Sequence, residues 1–407
     1  MEWIAYAMVG ITVGFVAACM TQVEHHIIYY RKAYADAFIG GEESQLLMGF
    51  AYFASISMLC VLVGSAVTVY YGPGAYGSGI PEIISYLNGV NYPSVIGFQT
   101  FVTKIFSNVL AVSGGLCIGK EGPLAHIGAN VGVIVAYLPI PYFLALRNDR
   151  NKRHLIAAGT SAGVAAAFGA PVGGALFTFE LSKPANFWTF TVTWKVFMSC
   201  ATSVFSLAIC HDLMMYGEVK SVSASALAFH GSAELTAATV TTLPFCLLNG
   251  IICGVLGALF VKINCAICVW RKKVITKKWI KPLEAVLFVL LTVTIFFWLP
   301  NFYRVCRDHD DVSHTNKKLM VTYDCPQGQY NPFASLFFNS EGDALKSILS
   351  TFEGPGGINP DLMHMSIFLV VWYILPIITY GVWVPAGLFV PGMVIGVSVG
   401  AVTQLLR

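Results

Sequence analysis

Charged side chains are scarce in this sequence. Of its 407 residues, 11% are Asp, Glu, Lys or Arg, whereas soluble domains carry about 25%. Hydrophobic residues make up 56% of the chain, and the mean hydropathy is +0.70. An ordinary soluble domain is therefore excluded. The formal net charge is only +3, and no basic cluster is interleaved with aromatic residues, so we expect no nucleic-acid partner.

The sequence contains long runs of apolar residues. "LLMGFAYFASISMLCVLVGSAVTVYY" (46–71) and "MSIFLVVWYILPIITYGVWV" (365–384) reach the roughly 20 residues that a helix needs to cross a bilayer. The pattern predicts an all-α, polytopic membrane protein embedded in a lipid bilayer. The predicted membrane segments, several of them too short to span, are 3–21, 46–70, 95–113, 121–138, 155–167, 171–182, 188–210, 240–269, 280–299, 363–382 and 388–404.

The loops between these segments differ in charge. The short stretches 147–153 and 270–281 are rich in Lys and Arg, which predicts that both face the cytoplasm. The loop 300–343 is longer and acidic, so we expect it on the opposite, outer side. Cys306 and Cys325 lie in this loop and could form a disulfide if it faces an oxidising compartment.

One region predicts a broken helix. "HLIAAGTSAGVAAAFGAPVGGALFTFEL" (154–181) contains two half-length apolar stretches separated by Gly169, Ala170 and Pro171. Broken helices are tolerated at membrane depth where they are buried in protein or line an aqueous path. The interruption therefore predicts a segment that is buried in protein or lines an aqueous path.

Two stretches resemble enzyme motifs, but each lacks a feature that the motif requires. "GPGAYG" (72–77) has the spacing of a dinucleotide loop but follows no strand, and "GGLCIGKE" (114–121) ends in Glu where an ATPase loop needs Ser or Thr. No His/Cys set with metal-ligand spacing and no nucleophile–base pair stands out. We therefore expect no enzymatic activity, no metal and no cofactor.

Three Gly- and Pro-containing breaks each lead into a predicted helix: "GSGIPE" (77–82), "GKEGP" (119–123) and "GLFVP" (387–391). Proline is tolerated in the first helical turn, and glycine allows a close approach of the backbone to a ligand. The free N–H groups and the dipole at a helix start attract anions. Convergence of the three breaks would create an anion site. The alternative is three helix caps that serve only packing.

These stretches resemble the signature motifs of the CLC family of chloride channels and chloride/proton exchangers. The resemblance covers essentially the whole chain, and "AAAFGAPVGGALF" (165–177) and "CPQGQYNPFASLFFN" (325–339) are most similar to the lysosomal and endosomal-type eukaryotic branch. It implies voltage- or pH-gated chloride transport by a homodimer. It also implies an endolysosomal or other intracellular membrane rather than the plasma membrane.

The resemblance also implies a chloride site. Ser78 occupies the position where the family uses a hydroxyl to hold the central chloride, and serine rather than proline there implies chloride over nitrate. The backbone amides of Leu388 and Phe389 match those that point at the same ion. Gly122, in "GKEGP", is expected to be part of the same chloride-binding backbone.

Glu121 matches the family's gating glutamate, whose carboxylate competes with chloride for the outer site. It also counts among the chloride-site residues, together with Lys120, which is expected to keep the local field positive. The alternative is an accidental buried ion pair between Lys120 and Glu121. An ionisable residue inside a membrane favours the functional interpretation.

One position departs from the exchangers of the family. Exchangers carry a second, proton-relay glutamate in a pattern like F-x-x-E-E, and here that position is Leu181. Glu180 matches the first, largely structural glutamate and is expected to face the protein interior. Leu181 favours passive, channel-type conduction. Chloride/proton exchange through an unusual proton path remains the alternative.

The family architecture implies two inverted repeats of tilted and broken helices. We expect the first repeat over 1–210, a polar linker over 211–238 and the second repeat over 239–407. Family members continue beyond the "GLFVP" helix with further helices and, in eukaryotes, CBS domains. The sequence-based expectation is that this C-terminal part of the second repeat is missing. A truncated subunit that transports nothing is therefore a third alternative.

Overall fold

The structure is a computed structural model, and it describes residues 2–39, 45–90, 92, 94–139, 141–182, 188–219, 240–308, 319–326, 328–350 and 360–406. These residues form fourteen α-helices and one short antiparallel ribbon. Six of the described helices are long and apolar enough to cross a membrane, so the chain is a multi-span membrane protein.

The helices follow one another in two groups. The first group is α1 (Glu2–Ile39), α2 (Leu46–Tyr70), α3 (Ile80–Leu87), α4 (Phe98–Ser113), α5 (Glu121–Ala136), α6 (Asp149–Phe168), α7 (Pro171–Ser182) and α8 (Phe190–Tyr216). The second is α9 (Leu243–Val274), α10 (Ile280–Phe302), α11 (Pro332–Phe337), α12 (Glu341–Ser350), α13 (Leu362–Thr379) and α14 (Phe389–Leu405). The strands β1 (Arg307–Asp308) and β2 (Gln329–Tyr330) form the ribbon.

The predicted linker between the repeats is only partly described. Helix α8 continues through Tyr216, into the first residues of the predicted linker 211–238, and residues 220–239 lie outside the described part of the chain. The division into two repeats therefore stays a prediction.

Glycines bring α5 and α6 into direct backbone contact. A Cβ added at Gly128 would lie 2.0 Å from the carbonyl oxygen of Gly159, and one at Gly132 would lie 2.3 Å from that of Leu155. Small residues at such a crossing allow the close packing that stabilises helix pairs in membranes. This contact fixes the position of α5, whose first residue is Glu121.

The predicted helix break is present between α6 and α7. Helix α6 ends at Phe168, Gly169 adopts a left-handed conformation with φ of +64°, and α7 starts at Pro171. A left-handed residue after the last helical turn is usually glycine, because other side chains are strained there. A helix of 20 residues and one of 12 therefore replace one continuous span, and α6 is longer than the predicted half-length segment because it begins at Asp149.

Helix α1 is longer than the predicted segment 3–21. It continues to Ile39 because its polar side chains find partners inside the bundle instead of ending the helix. Arg31 is buried, donates a hydrogen bond of 3.1 Å to Ser57 Oγ and lies 4.5 Å from the centre of the Phe53 ring.

The outer loop is anchored to the helices. Cys306 and Cys325 are joined by a disulfide, and the ribbon pairs Arg307 with Tyr330. The buried Tyr323 donates a hydrogen bond of 2.6 Å to the carbonyl oxygen of Phe297 in α10. The chain therefore enters α11 and α12 from a fixed position.

Candidate anion site

The three Gly- and Pro-containing stretches meet through their backbones. Gly77 N–H donates to the carbonyl oxygen of Val384 at 3.1 Å, and Ala386 N–H donates to that of Gly77 at 3.3 Å. Gly119 and Gly387 exchange two hydrogen bonds of 2.8 Å each. Segments more than 260 residues apart in the chain thus form one backbone cluster.

Glycine is required where these segments touch. A Cβ added at Gly122 would lie 3.0 Å from Ser78 Cβ and 3.5 Å from Gly387 Cα. Gly79 has φ of +84°, and a Cβ there would lie 2.1 Å from His126 Nδ1. The first turns of α3 and α5 therefore pack closely beside the start of α14.

The starts of these helices supply N–H donors. A proline lies in the first turn of each helix: Pro81 in α3, Pro123 in α5 and Pro391 in α14. At these positions the missing N–H removes no helical hydrogen bond. The remaining N–H groups of a first turn have no partner within their own helix. Together with the helix dipoles they favour an anion at this point.

The carboxylate of Glu121 lies at this backbone cluster. The side chain is 6% exposed, and its carboxylate lies within hydrogen-bonding reach of its own backbone N–H and of Val390 N–H at the start of α14. Its Oε2 atom has no hydrogen-bond partner in the described part of the chain. The carboxylate is therefore held by the same helix start that includes Leu388 and Phe389.

Lys120 does not pair with Glu121. Its Nζ lies 2.8 Å from Glu24 Oε2 and 3.5 Å from Thr21 Oγ1, both on α1. The ammonium lies on the residue next to Glu121, but it forms an ion pair with Glu24. Lys120 is therefore expected to contribute less to chloride binding than the sequence suggested. The alternative of an accidental ion pair between Lys120 and Glu121 is not supported, because Lys120 pairs with Glu24.

Ser78 and Phe389 lie at the cluster, and Tyr380 joins them. The Oγ atom of Ser78 accepts a hydrogen bond of 3.4 Å from Ile80 N–H, and the Tyr380 hydroxyl lies within hydrogen-bonding reach of the serine. The ring of Phe389 packs edge-to-face on Phe168, with ring centres 5.7 Å apart. The sequence argument missed Tyr380, because the residue lies outside the three stretches.

A buried lysine is the second residue that the sequence argument missed. Lys104 and His126 are fully buried, and Lys104 Nζ lies 2.8 Å from His126 Nδ1. His126 in turn packs against Gly79, next to Ser78. A single lysine in the apolar segment 95–113 was the available signal, since a charge at membrane depth is costly and marks function.

Cavities lie on both sides of the cluster. A cavity of about 320 Å³ reaches Glu121 from the side of the acidic loop and is lined by Lys120, Glu341 and Asp343, among others. A second cavity, of about 330 Å³, is lined by Tyr76, Arg271, Lys272 and Lys281 and adjoins the basic stretch 270–281. From the loop charges we expect the first cavity on the outer side and the second, basic cavity on the inner side, and we call them the outer and the inner cavity. Within the described residues no group of three His, Cys, Asp or Glu side chains could hold a metal ion.

Comparison with known proteins identifies this arrangement. Residues 59–406 match the family model described as voltage gated chloride channel. The chain belongs to the CLC family. It is 34% identical to the human H(+)/Cl(-) exchange transporter 7 over 98% of its own length and 50% of that protein. It is 32% identical to chloride channel protein C of Dictyostelium discoideum, over 98% of this chain and 53% of that protein. The chain thus spans about half the length of these CLC relatives.

Solved structures show the CLC fold. A slow cyanobacterial Cl-/H+ antiporter superposes with a TM-score of 0.74 at 19% identity, covering 100% of this chain and 80% of that one. A eukaryotic CLC transporter gives a TM-score of 0.64 at 19% identity, covering 96% and 57% respectively.

Leu181, which the sequence pattern predicts at the proton-relay position, is partly buried near the end of α7. The expectation that Glu180 faces the protein interior is wrong, because its side chain is exposed. Helix α7 has α6 and α8 on its buried side, where Gly174, Thr178 and Ser182 lie, and Glu180 points away from them. Neither residue therefore provides a buried carboxyl at the inner end of this helix.

Proposed function

We propose that this chain forms the membrane part of a chloride-selective transporter in which Glu121 and chloride compete for the same backbone amides. The observation that carries the proposal is the Glu121 carboxylate within reach of Val390 N–H at the start of α14. A carboxylate and a chloride ion are interchangeable to such donors, because each supplies one negative charge to the helix start. Protonation of Glu121 would release the amides to chloride.

We further propose that chloride movement is coupled to protons. The human relative with 34% identity and the cyanobacterial structural neighbour are both named as chloride/proton exchangers. These comparisons support exchange better than the passive conduction that the sequence favoured. Glu121 is the carboxyl group at the site, and its Oε2 atom, which has no hydrogen-bond partner in the described part of the chain, can accept a proton.

Passive conduction remains the second candidate, and Leu181 is the observation that favours it. An alkyl side chain cannot carry a proton, and a bare charge in the low-dielectric interior is costly. In an exchanger, protons would therefore have to reach Glu121 from the inner side by a path that avoids this position.

A flux experiment separates the candidates. The protein is reconstituted into liposomes with an imposed chloride gradient, and chloride and proton movements are recorded together. Uphill proton movement that stops in Glu121→Gln supports exchange, whereas chloride flux without proton movement supports conduction. If neither ion moves, the proposed transport function fails and the interpretation as a non-transporting subunit is favoured. Leu181→Glu is the informative variant, since it should increase the number of protons moved per chloride.

The surroundings of the transporter are also proposals. The resemblance to the lysosomal and endosomal-type branch supports an intracellular, endolysosomal membrane. A homodimer is proposed from family membership. Cross-linking in membranes and imaging of the tagged protein would test both.

A further inference from the structure

The outer cavity is lined by many titratable groups. Helices α1, α5, α8 and α12 each contribute at least one, whereas α4, α6 and α14 contribute only Val112, Ala167 and Val390. The titratable and charged side chains are Glu24 and His25 from α1, Lys120 and Glu121 at the start of α5, His211 from α8, and Glu341, Asp343 and Lys346 from α12. Glu24, Glu341 and Asp343 therefore share one cavity with Glu121.

Most of these groups are already engaged by neighbours. Glu24 binds Lys120 at 2.8 Å. Asp343 accepts a hydrogen bond of 2.7 Å from Ser340 Oγ, receives Lys346 at 3.5 Å and forms the capping pair at the start of α12. Both carboxylates therefore already have partners.

Glu341 is placed differently. It is the first residue of α12, which is not one of the six candidate spans, and its carboxyl lies within hydrogen-bonding reach of Ile118 N–H, three residues before Glu121. Its Oε1 atom is buried without a hydrogen-bond partner in the described part of the chain. Burial, and then the negative charges of Glu121 and Glu24, raise the pKa of Glu341 well above its usual range.

We propose that Glu341 is a proton-transfer residue that carries protons between the outer solution and Glu121. The inference rests on the proposed function, in which Glu121 is protonated during transport. The cavity of about 320 Å³ has room for several water molecules, each of which occupies about 30 Å³ in the liquid. Glu341 and Glu121 both line this cavity, so water molecules in it would form a path between the two carboxyl groups.

The transfer conserves protons. The O–H bond of protonated Glu341 breaks, a cavity water accepts that proton, and the water chain delivers one proton to Glu121 Oε2. Glu341 is left as a carboxylate and takes a new proton from the outer solution. Its neighbours favour this cycle, because the charge of Glu121 stabilises the protonated form of Glu341 until Glu121 itself becomes neutral.

The test measures chloride flux in liposomes as a function of outer pH, for wild type, Glu341→Gln and Glu341→Asp. We expect Glu341→Gln to lower the flux at least tenfold near neutral pH, since a positioned proton carrier contributes about 10²-fold or more. The loss should shrink as the outer pH is lowered, because free protons then reach Glu121 directly. Glu341→Asp should restore part of the neutral flux.

Two controls separate this role from a structural one. Asp361→Asn removes a carboxylate that binds Arg307 at 2.9 Å and does not line the cavity, so the flux should not change. In a Glu121→Gln background, Glu341→Gln should have no further effect, because no carboxylate remains to be protonated. A merely misfolded variant would lose flux equally at every pH.

The outcomes also separate the two proposals. If wild-type flux is independent of outer pH and Glu121→Gln behaves like wild type, the proposed gating fails and the role of Glu341 fails with it. If wild type depends on pH and Glu121→Gln does not, while Glu341→Gln keeps the wild-type profile, only the role of Glu341 is overturned. A uniform loss in Glu341→Gln that persists in the Glu121→Gln background also overturns it.

Discussion

Replacing Glu121 with Gln tests the central idea that this side chain is a tethered anion. The carboxylate is within reach of two backbone N–H groups, its own and that of Val390. Hydrogen bonds to a charged group contribute about 1.5–3 kcal/mol each, against about 0.5–1.5 kcal/mol for neutral pairs. The amide therefore loses about 1 kcal/mol per bond, or about 2 kcal/mol in total, relative to the carboxylate.

A loss of this size shifts the competition between side chain and chloride about 30-fold towards chloride, since about 1.4 kcal/mol corresponds to a factor of ten. Chloride flux through Glu121→Gln should therefore rise and lose its dependence on outer pH. The assay is chloride efflux from liposomes over a range of outer pH. Glu180→Gln is the matched control, because it removes an exposed carboxyl that does not line the outer cavity. A Glu121→Gln protein that keeps the wild-type pH profile would refute the reasoning.

Three further predictions concern the surroundings of the gate. Ser78→Pro removes a hydroxyl donor and should lower the chloride-to-nitrate permeability ratio; an unchanged ratio would remove Ser78 from the site. Glu24→Gln frees the lysine next to the gate and should raise chloride affinity about two- to fivefold, the range of a partly exposed ion pair, as measured by calorimetry. Equal affinity would show that this pair does not influence the anion. Gly128→Ala forces a Cβ to within 2.0 Å of the Gly159 carbonyl and should cost about 1–3 kcal/mol, lowering the melting temperature. Gly250→Ala, which meets nothing within 4 Å, should not.

Much of the fold could be predicted because membrane insertion depends on local composition. The apolar runs predict most of the helices, and the Gly169–Pro171 interruption predicts the break between α6 and α7. The length of α1 could not be predicted in this way. Its polar half is stabilised by partners far away in the chain, such as Ser57 for Arg31, and a hydropathy pattern does not contain these contacts.

The sequence predicts the backbone part of the site but not the side chains that reach it from other helices. Glycine and proline report local conformation, so the three stretches indicate helix starts without knowledge of the fold. Side chains that reach the site from elsewhere give no such signal: Glu24 binds Lys120 from α1, and Glu341 approaches from α12. The exposed position of Glu180 likewise depends on which face of α7 packs against its neighbours.

The paired hydrogen bonds between Gly119 and Gly387 have a consequence for how this protein tolerates mutation. Peptide groups, which every residue possesses, form the link between the two distant segments. Substitutions that change side-chain chemistry leave these donors and acceptors in place. The anion-binding backbone therefore tolerates substitutions of its polar side chains. It is disrupted by changes that displace the backbone, such as an inserted residue or a Cβ at Gly122. Variants that destroy the anion-binding backbone itself should accordingly cluster at glycines and at insertions or deletions, whereas substitutions of Glu121 and Glu341 should change gating and proton transfer.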